Sequence, residues 1–239
     1  GTKDWVGSTS SNWNTDSNWL PVGVPGVNDL ARIGVTSFGS NPNPVLLSSS
    51  TVGNILFGNN TPPTLTINSG FTLTVNNVVE KHAACTIAGM GTLDVKGTFK
   101  SKPSSALAKT TTSTINTLNV ANLLLSSDAA NVVFDYSGQN ITVKNSLQTT
   151  GANAISFRLA NGSTLTLTGA TPFSIGGSPT MSFNGTVLYG AAVQQSVNTA
   201  FSYGNIAFSG LGIKEVAKGT LSVNGNWSSS GGKVNLTST

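Results

Sequence analysis

Hydrophobic and polar residues alternate along most of this chain in short runs, and each run ends near Gly, Asn or Ser. Successive side chains of an extended strand point to opposite sides, so this period of two is typical of β-strands with one buried side. No stretch places apolar residues at i, i+3, i+4 and i+7 over three turns, as an amphipathic helix requires. The pattern therefore predicts an all-β fold of short strands joined by tight turns.

A four-residue phrase, Thr-Leu followed by any residue and then an aliphatic one, recurs along the chain. It occurs at 64–67 and 72–75, and from the phrase at 64 it returns at positions 92, 117, 164 and 220. The last two intervals are about twice the first two, and weaker phrases such as Ile-Thr-Val-Lys at 141–144 fill the gaps. A period in the twenties is typical of repeat proteins whose coils stack on one another. We therefore expect a right-handed parallel β-solenoid.

The alternation within each phrase predicts which side chains fill the solenoid. The aliphatic residues should point inward, and the Thr, Asp, Asn or Ser residues beside them outward. The predicted inward residues are Leu65, Ile67, Leu93, Val95, Leu118, Val120, Leu165, Leu167, Leu221 and Val223. Asp94 and Asn119 hold the same place in their phrases, so we expect them to be stacked neighbours. Gly and Asn between the phrases supply the backbone conformations that tight corners need.

An antiparallel β-sandwich is the alternative fold, because it also produces short strands at regular spacing. The solenoid is favoured because the phrase itself recurs, and not only the alternation of apolar and polar residues. The chain also lacks the long, distinct strands that a single large sandwich would contain.

Residues 1–35 differ from the rest of the chain and contain Trp5, Trp13 and Trp19. An open solenoid end exposes core side chains and unpaired strand edges, so a terminal segment must be atypical. We interpret residues 1–35 as an aromatic-rich N-terminal cap, and 36–239 as solenoid coils that are truncated at the C-terminal end. In the alternative interpretation the three indoles form a platform on which a sugar stacks, which makes them the candidate ligand-binding residues.

The charge content is low and limits the partners that the chain can recognise. Asp, Glu, Lys and Arg make up 8% of the residues, against about 25% in a typical globular protein. The net charge of +4 comes from scattered residues, whereas a nucleic-acid interface needs Lys and Arg concentrated on one side. No apolar run reaches the ~18 residues of a membrane-spanning helix. We expect no nucleic-acid partner and no membrane span.

The residues that could carry catalysis are few and dispersed. The two closest acids, Asp128 and Asp135, flank a predicted turn, whereas glycoside hydrolysis needs two carboxylates across a cleft. His82 and Cys85, the only His and Cys, are separated by an odd number of positions, so we expect them on opposite sides of a strand and not as a nucleophilic pair. No cluster of Cys, His or Asp predicts a metal site. We expect no enzyme activity, no cofactor and no metal.

Two segments resemble parts of known proteins. Residues 4–33 carry W-x-G, N-W, G-x-P and an acidic residue ahead of a strand, and residues 203–226 carry Tyr, N-I, G-x-G-x-K and L-x-V-x-G in that order. Both resemble the large repetitive secreted β-solenoid proteins of the Bacteroidota type. The resemblance implies a long extracellular or cell-surface protein, often exported by the type 9 secretion route and in some cases similar to gliding and attachment adhesins. It implies no catalytic residues.

These observations predict a non-enzymatic structural or adhesive module that displays or projects a binding surface. Its partner would be a surface polysaccharide or another cell surface. The first alternative is a carbohydrate-binding or degenerate polysaccharide-processing β-helix. The second is an ice-binding β-solenoid, because outward threonines on stacked coils can organise water. Asp94 and Asn119 interrupt the regular threonine column that ice binding requires.

Overall fold

The computed structural model describes residues 1–103 and 109–236 and shows a β-solenoid of about nine turns. Strands make up 52% of the chain and helix 1%. The strands of neighbouring coils pair in parallel, which confirms the predicted all-β parallel solenoid and excludes the antiparallel sandwich. Residues 237–239, at the end of the predicted coil region, lie outside the described residues.

The described residues form twenty-five strands and one short 3-10 helix, Asp16–Asn18. No helix among them is long and apolar enough to cross a membrane. The strands are β1 (Thr2–Trp5), β2 (Trp19–Leu20), β3 (Leu30–Ile33), β4 (Val45–Leu46), β5 (Ser50–Val52), β6 (Asn54–Phe57), β7 (Thr64–Ile67), β8 (Thr72–Val75), β9 (Val78–Lys81), β10 (Cys85–Ala88), β11 (Thr92–Ser101), β12 (Lys109–Ser113), β13 (Thr117–Ser126), β14 (Val132–Tyr136), β15 (Asn140–Thr150), β16 (Ile155–Leu159), β17 (Thr164–Leu167), β18 (Phe173–Ile175), β19 (Thr180–Tyr189), β20 (Gln195–Val197), β21 (Ser202–Phe208), β22 (Lys214–Val216), β23 (Ser222–Val223), β24 (Trp227–Ser229) and β25 (Val234–Leu236).

Each coil crosses three faces, and every face is a stack of parallel strands. The first face holds β1, β3, β6, β9, the second halves of β11, β13 and β15, and then β18. The second face holds β4, β7, β10, β12, β14, β16, the first parts of β19 and β21, and β23. The third face holds β5, β8, the first halves of β11, β13 and β15, then β17, the second parts of β19 and β21, and β24. Strands β20, β22 and β25 form a separate parallel sheet.

Most of the repeated phrases lie in register on the third face. Leu93 pairs with Leu73 on one side and Leu118 on the other, and the same column continues through Ile141 and Leu165. The predicted stacking of Asp94 on Asn119 is confirmed.

The predicted interval that joins the phrase at 64–67 directly to the phrase at 92–95 is wrong. These two phrases lie on different faces, because β7 pairs with β10 on the second face, whereas β11 pairs with β8 on the third. The phrase at 220–223 likewise contributes β23 to the second face. The coil that contains β7 and β8 therefore holds two Thr-Leu phrases, and the intervals alone cannot assign a phrase to a face.

The inward side chains form one continuous hydrophobic core along the stack. All the predicted inward residues from Leu65 to Leu167 are buried, whereas Leu221 and Val223 near the last coil are half-buried. Aromatic rings extend the same stacking, with Phe134 lying parallel to Phe157 at a centroid distance of 5.8 Å. Burial of this apolar surface is the dominant favourable term in the stability of the coils.

The N-terminal end of the stack is covered by an antiparallel strand. Strand β1 pairs in parallel with β3 on one side and antiparallel with β2 on the other, with Trp5 opposite Trp19. Residues 1–35 thus contribute β1 and β3 to the first face and β2 as its outer strand. This arrangement satisfies backbone groups on an edge that would otherwise be open to other chains.

Replacing a stacked leucine should destabilise the fold far more than replacing the outward residue beside it. We expect Leu93→Ala to lower the free energy of unfolding by about 2 to 5 kcal/mol, because it leaves a cavity between Leu73 and Leu118. Thr92→Ala is the matched control and should change it by about 1 kcal/mol or less. Urea denaturation monitored by circular dichroism measures both. Equal effects of the two substitutions would contradict the assignment of inward and outward columns.

Candidate functional site

Two adjacent columns of small, mostly uncharged side chains run across the outer surface of the third face. Each column takes one residue from each successive coil, and the two columns are two positions apart along the strands. We call this pair of columns the threonine ladder. Its residues are Thr72, Thr92, Thr117, Asn140, Thr164 and Thr186 in one column, and Thr74, Asp94, Asn119, Thr142 and Thr166 in the other.

The geometry of a parallel sheet fixes the spacing of the ladder. Neighbouring strands lie about 4.8 Å apart, and residues two positions apart on one strand are separated by roughly 6.6 Å. The ladder side chains are half-buried because each packs against the equivalent residue of the coils above and below. The result is a grid of hydroxyl and amide groups that spans six successive strands, from β8 to β19.

Hydrogen bonds within and between coils hold part of the ladder in place. Asn140 donates from Nδ2 to Oγ1 of Thr142 at 2.9 Å, and it accepts at Oδ1 from the Thr166 hydroxyl at 2.9 Å. These bonds fix the rotamers of three ladder side chains before any ligand arrives, which lowers the entropic cost of binding.

Asp94 is the one carboxylate within the ladder, and it carries its own counter-ion. Lys96 donates from Nζ to Oδ2 of Asp94 at 2.6 Å. The other oxygen, Oδ1, is buried and has no hydrogen-bond partner among the described residues. The outer surface of the third face is therefore nearly neutral at this point.

The two arginines lie on the other faces and pair with acids that are distant in the sequence. Arg32 donates from Nε and Nη2 to the Asp4 carboxylate, and this contact raises the pKa of the guanidinium. Arg158 donates to Asp135 at 3.4 Å. Each pair is also a register pair of neighbouring coils. The acidic partner of each arginine therefore lies one coil earlier in the sequence and not among its adjacent residues.

Trp5, Trp13 and Trp19, the sequence-predicted ligand residues, are all buried, with at most 1% of their surface exposed. Trp19 packs edge-on against Trp5 and Trp13, at centroid distances of 5.2 and 4.7 Å. Its indole N–H donates to the Trp13 carbonyl, and that of Trp5 to the Pro42 carbonyl. No surface of these three indoles is therefore open for a sugar to stack on, and the rings instead fill the interior of the first coils.

Two lysines occupy inward positions that the alternation pattern gives to apolar residues. Lys81 and Lys214 are both fully buried. Lys214 donates from Nζ to the carbonyl oxygens of Ala191 and Gly212, at 2.8 and 2.9 Å, and burial lowers its pKa. Lys81 donates to the hydroxyl of Ser101 on the next coil at 3.5 Å. Sequence analysis missed both, because an inward lysine breaks the period-two rule.

Cys85 and His82 do not form a nucleophilic pair in this structure. Cys85 is buried on the inner side of β10, and desolvation raises the pKa of its thiol to about 11. His82 is half-buried, and its Nε2 contacts Oε1 of Glu80. Nucleophilic cysteines are activated by a lowered pKa, so this thiol has the opposite character.

The described residues contain no group of three or more His, Cys, Asp or Glu side chains that could hold a metal ion. Comparison with known proteins finds no family model, no curated protein and no solved structure that matches this chain. The threonine ladder is therefore identified as a candidate site from its geometry alone.

We expect the Cys85 thiol to be inert to thiol reagents in the folded protein at about pH 8, because it is buried and protonated. The fold raises the pKa of the Cys85 thiol from its ordinary value of 9.0 to about 11. The stability that the protonated thiol contributes is therefore complete below pH 9.0 and is lost as the pH rises through about 11. Colorimetric thiol titration, with and without guanidinium chloride, measures the reactivity. Equal rates in the two conditions would contradict the buried position.

Proposed function

We propose that this chain is a non-enzymatic structural or adhesive module of a large bacterial surface or secreted protein. The observation that carries the proposal is the threonine ladder, a regular and nearly uncharged grid across six successive strands. A repeating grid matches a repeating partner, such as a polysaccharide or the surface of another cell, better than it matches a single small molecule. The ladder is then the contact surface and the solenoid is its support.

The fold suits a support of this kind. Its core is continuous from coil to coil, so bending would open gaps between stacked side chains that pack at crystal-like density. Backbone hydrogen bonds between coils add to this resistance, as in other stacked repeats. The ladder residues therefore keep their spacing over the six strands that they span.

The extracellular location is part of the same proposal and rests on the resemblance of residues 4–33 and 203–226 to secreted solenoid proteins. The low charge content is consistent with it, since the outward positions that carry Lys and Glu in many proteins here carry Ser, Thr and Asn. Contacts of such a surface are hydrogen bonds and van der Waals contacts, so its adhesion should depend little on salt.

Two charges placed in the ladder should weaken adhesion strongly without unfolding the protein. We expect Thr92→Lys with Thr164→Lys to reduce the binding of coated beads to polysaccharide and cell surfaces about tenfold, because buried lysine ammonium groups must be desolvated on contact. Neither threonine makes a side-chain hydrogen bond in the described structure, and both point outward. Bead retention under flow measures the effect.

The matched control is Thr64→Lys with Thr112→Lys, two outward threonines in one column of the second face. This variant should adhere within about twofold of the unmodified protein, as expected for neutral surface changes. Equal loss in both variants, or no adhesion of the unmodified protein to any surface tested, would contradict the role of the ladder. Turnover of any polysaccharide would contradict a non-enzymatic module.

Ice is a second candidate for the partner of the ladder. It is favoured by the rows Thr72/Thr74 and Thr164/Thr166, in which both columns carry threonine. The rows between them carry Asp94, Asn119 and Asn140, which makes adhesion to a polymer the better-supported function. Thermal hysteresis that is present in the unmodified protein and absent from the Thr92/Thr164 variant would assign the ladder to ice.

A further inference from the structure

A groove of 590 Å³ lies at the corner between the second and third faces, away from the middle of the threonine ladder. Its volume is within the range of sites that hold small organic ligands. Asparagines from successive corners form much of its wall, and Met181 and Phe183 form its apolar part. The asparagines are Asn161, Asn184, Asn205 and Asn224.

The groove lies beside a short coil. The coil that runs from Thr186 to its register partner Asn205 is shorter than the coil that runs from Asn140 to Thr164. The shorter coil contributes only the start of β21 to the second face. Among the described residues, Met181 therefore has no register partner on the following coil. Met181 pairs with the buried Phe157 of the preceding coil, is half-buried, and lines the groove.

Three amides in the groove are free to bind a ligand. Asn161, Asn184 and Asn224 are exposed, and their side chains make no hydrogen bond to the described part of the chain. Asn205 differs, since its Oδ1 accepts a hydrogen bond from the backbone N–H of Asn226 at 2.8 Å and so holds the next turn. Each free amide offers two N–H donors and one carbonyl acceptor.

None of the residues that line the groove is ionisable. The register partner of Ser182 in the preceding coil is Arg158. The Arg158 guanidinium is balanced by the Asp135 carboxylate, with Nη1 and Oδ1 3.4 Å apart. A charged ligand would therefore find no counter-ion in the groove. A ligand with hydroxyl groups would find partners, because a hydroxyl both donates and accepts, as an amide does.

We infer that this groove binds a neutral oligosaccharide. The amides of Asn161, Asn184 and Asn224 contact its hydroxyl groups, and the half-buried Met181 side chain contacts the apolar C–H surface of a sugar ring. A combination of apolar wall and a few convergent polar groups is the usual composition of a small-molecule site. The inference is independent of the threonine ladder, which lies on the flat part of the third face.

The experiment is a screen of the whole chain against an array of neutral and acidic oligosaccharides, followed by calorimetry of the sugars that bind. The test variant is Asn161→Ala, Asn184→Ala and Asn224→Ala combined. The control variant is Asn59→Ala, Asn68→Ala and Asn145→Ala, three exposed asparagines of other coils whose side chains likewise make no hydrogen bond within residues 1–103 and 109–236. Circular dichroism verifies that both variants are folded.

We expect a neutral oligosaccharide to bind the unmodified protein and the control equally, and the test variant about tenfold more weakly or worse, since several hydrogen bonds are lost together. Its affinity should be the same at low salt and at roughly 0.5 M NaCl. The inference is overturned if no neutral sugar binds the unmodified protein, if the test variant binds equally well, or if only acidic sugars bind. The Thr92/Thr164 ladder variant should keep sugar binding, so failure of one proposal does not decide the other.

Discussion

The parallel register between neighbouring coils is the constraint on which the rest of the structure depends. Because Leu93 pairs with Leu118 and Asp94 with Asn119, every inward column continues as core and every outward column continues as surface. A shift of one residue in any coil would move apolar side chains to the outside and polar ones to the inside. The continuous core, the threonine ladder and the ion pairs between coils all follow from this one alignment.

The sequence predicts the fold class well, because the two signals it rests on are local. Alternation of apolar and polar residues identifies strands, and the recurrence of Thr-Leu phrases identifies stacking, so the inward positions from Leu65 to Leu167 are predicted correctly. Assignment of a phrase to a face is not local, since it depends on how many residues each corner consumes. For this reason the intervals align the phrase at 64–67 with phrases on a different face. The alternation pattern also does not predict the inward Lys81 and Lys214, because it gives inward positions to apolar residues.

The candidate sites are predictable only in part, and for a physical reason. Three tryptophans close together in sequence suggest either a core or a binding surface, and only burial in three dimensions distinguishes the two. The corner groove gives no sequence signal, because it arises from the lack of a register partner above Met181 among the described residues and not from a motif. The amides of Asn161, Asn184 and Asn224 line one groove although they are far apart in the sequence, so no local motif marks them.

The ion pairs between coils have a consequence for assembly of the stack. Phrases such as T-L-T-V and T-L-N-V are nearly interchangeable, so many incorrect stackings would bury about the same apolar area. Asp4 with Arg32, and Asp135 with Arg158, are complementary only when their own coils are adjacent. If these coils stacked in another order, Arg32 and Arg158 would lose these partners, and the loss would cost most at Asp4, whose carboxylate is the least exposed of the four side chains. The ion pairs between coils therefore favour the native order of these coils over stackings that would bury the same apolar area.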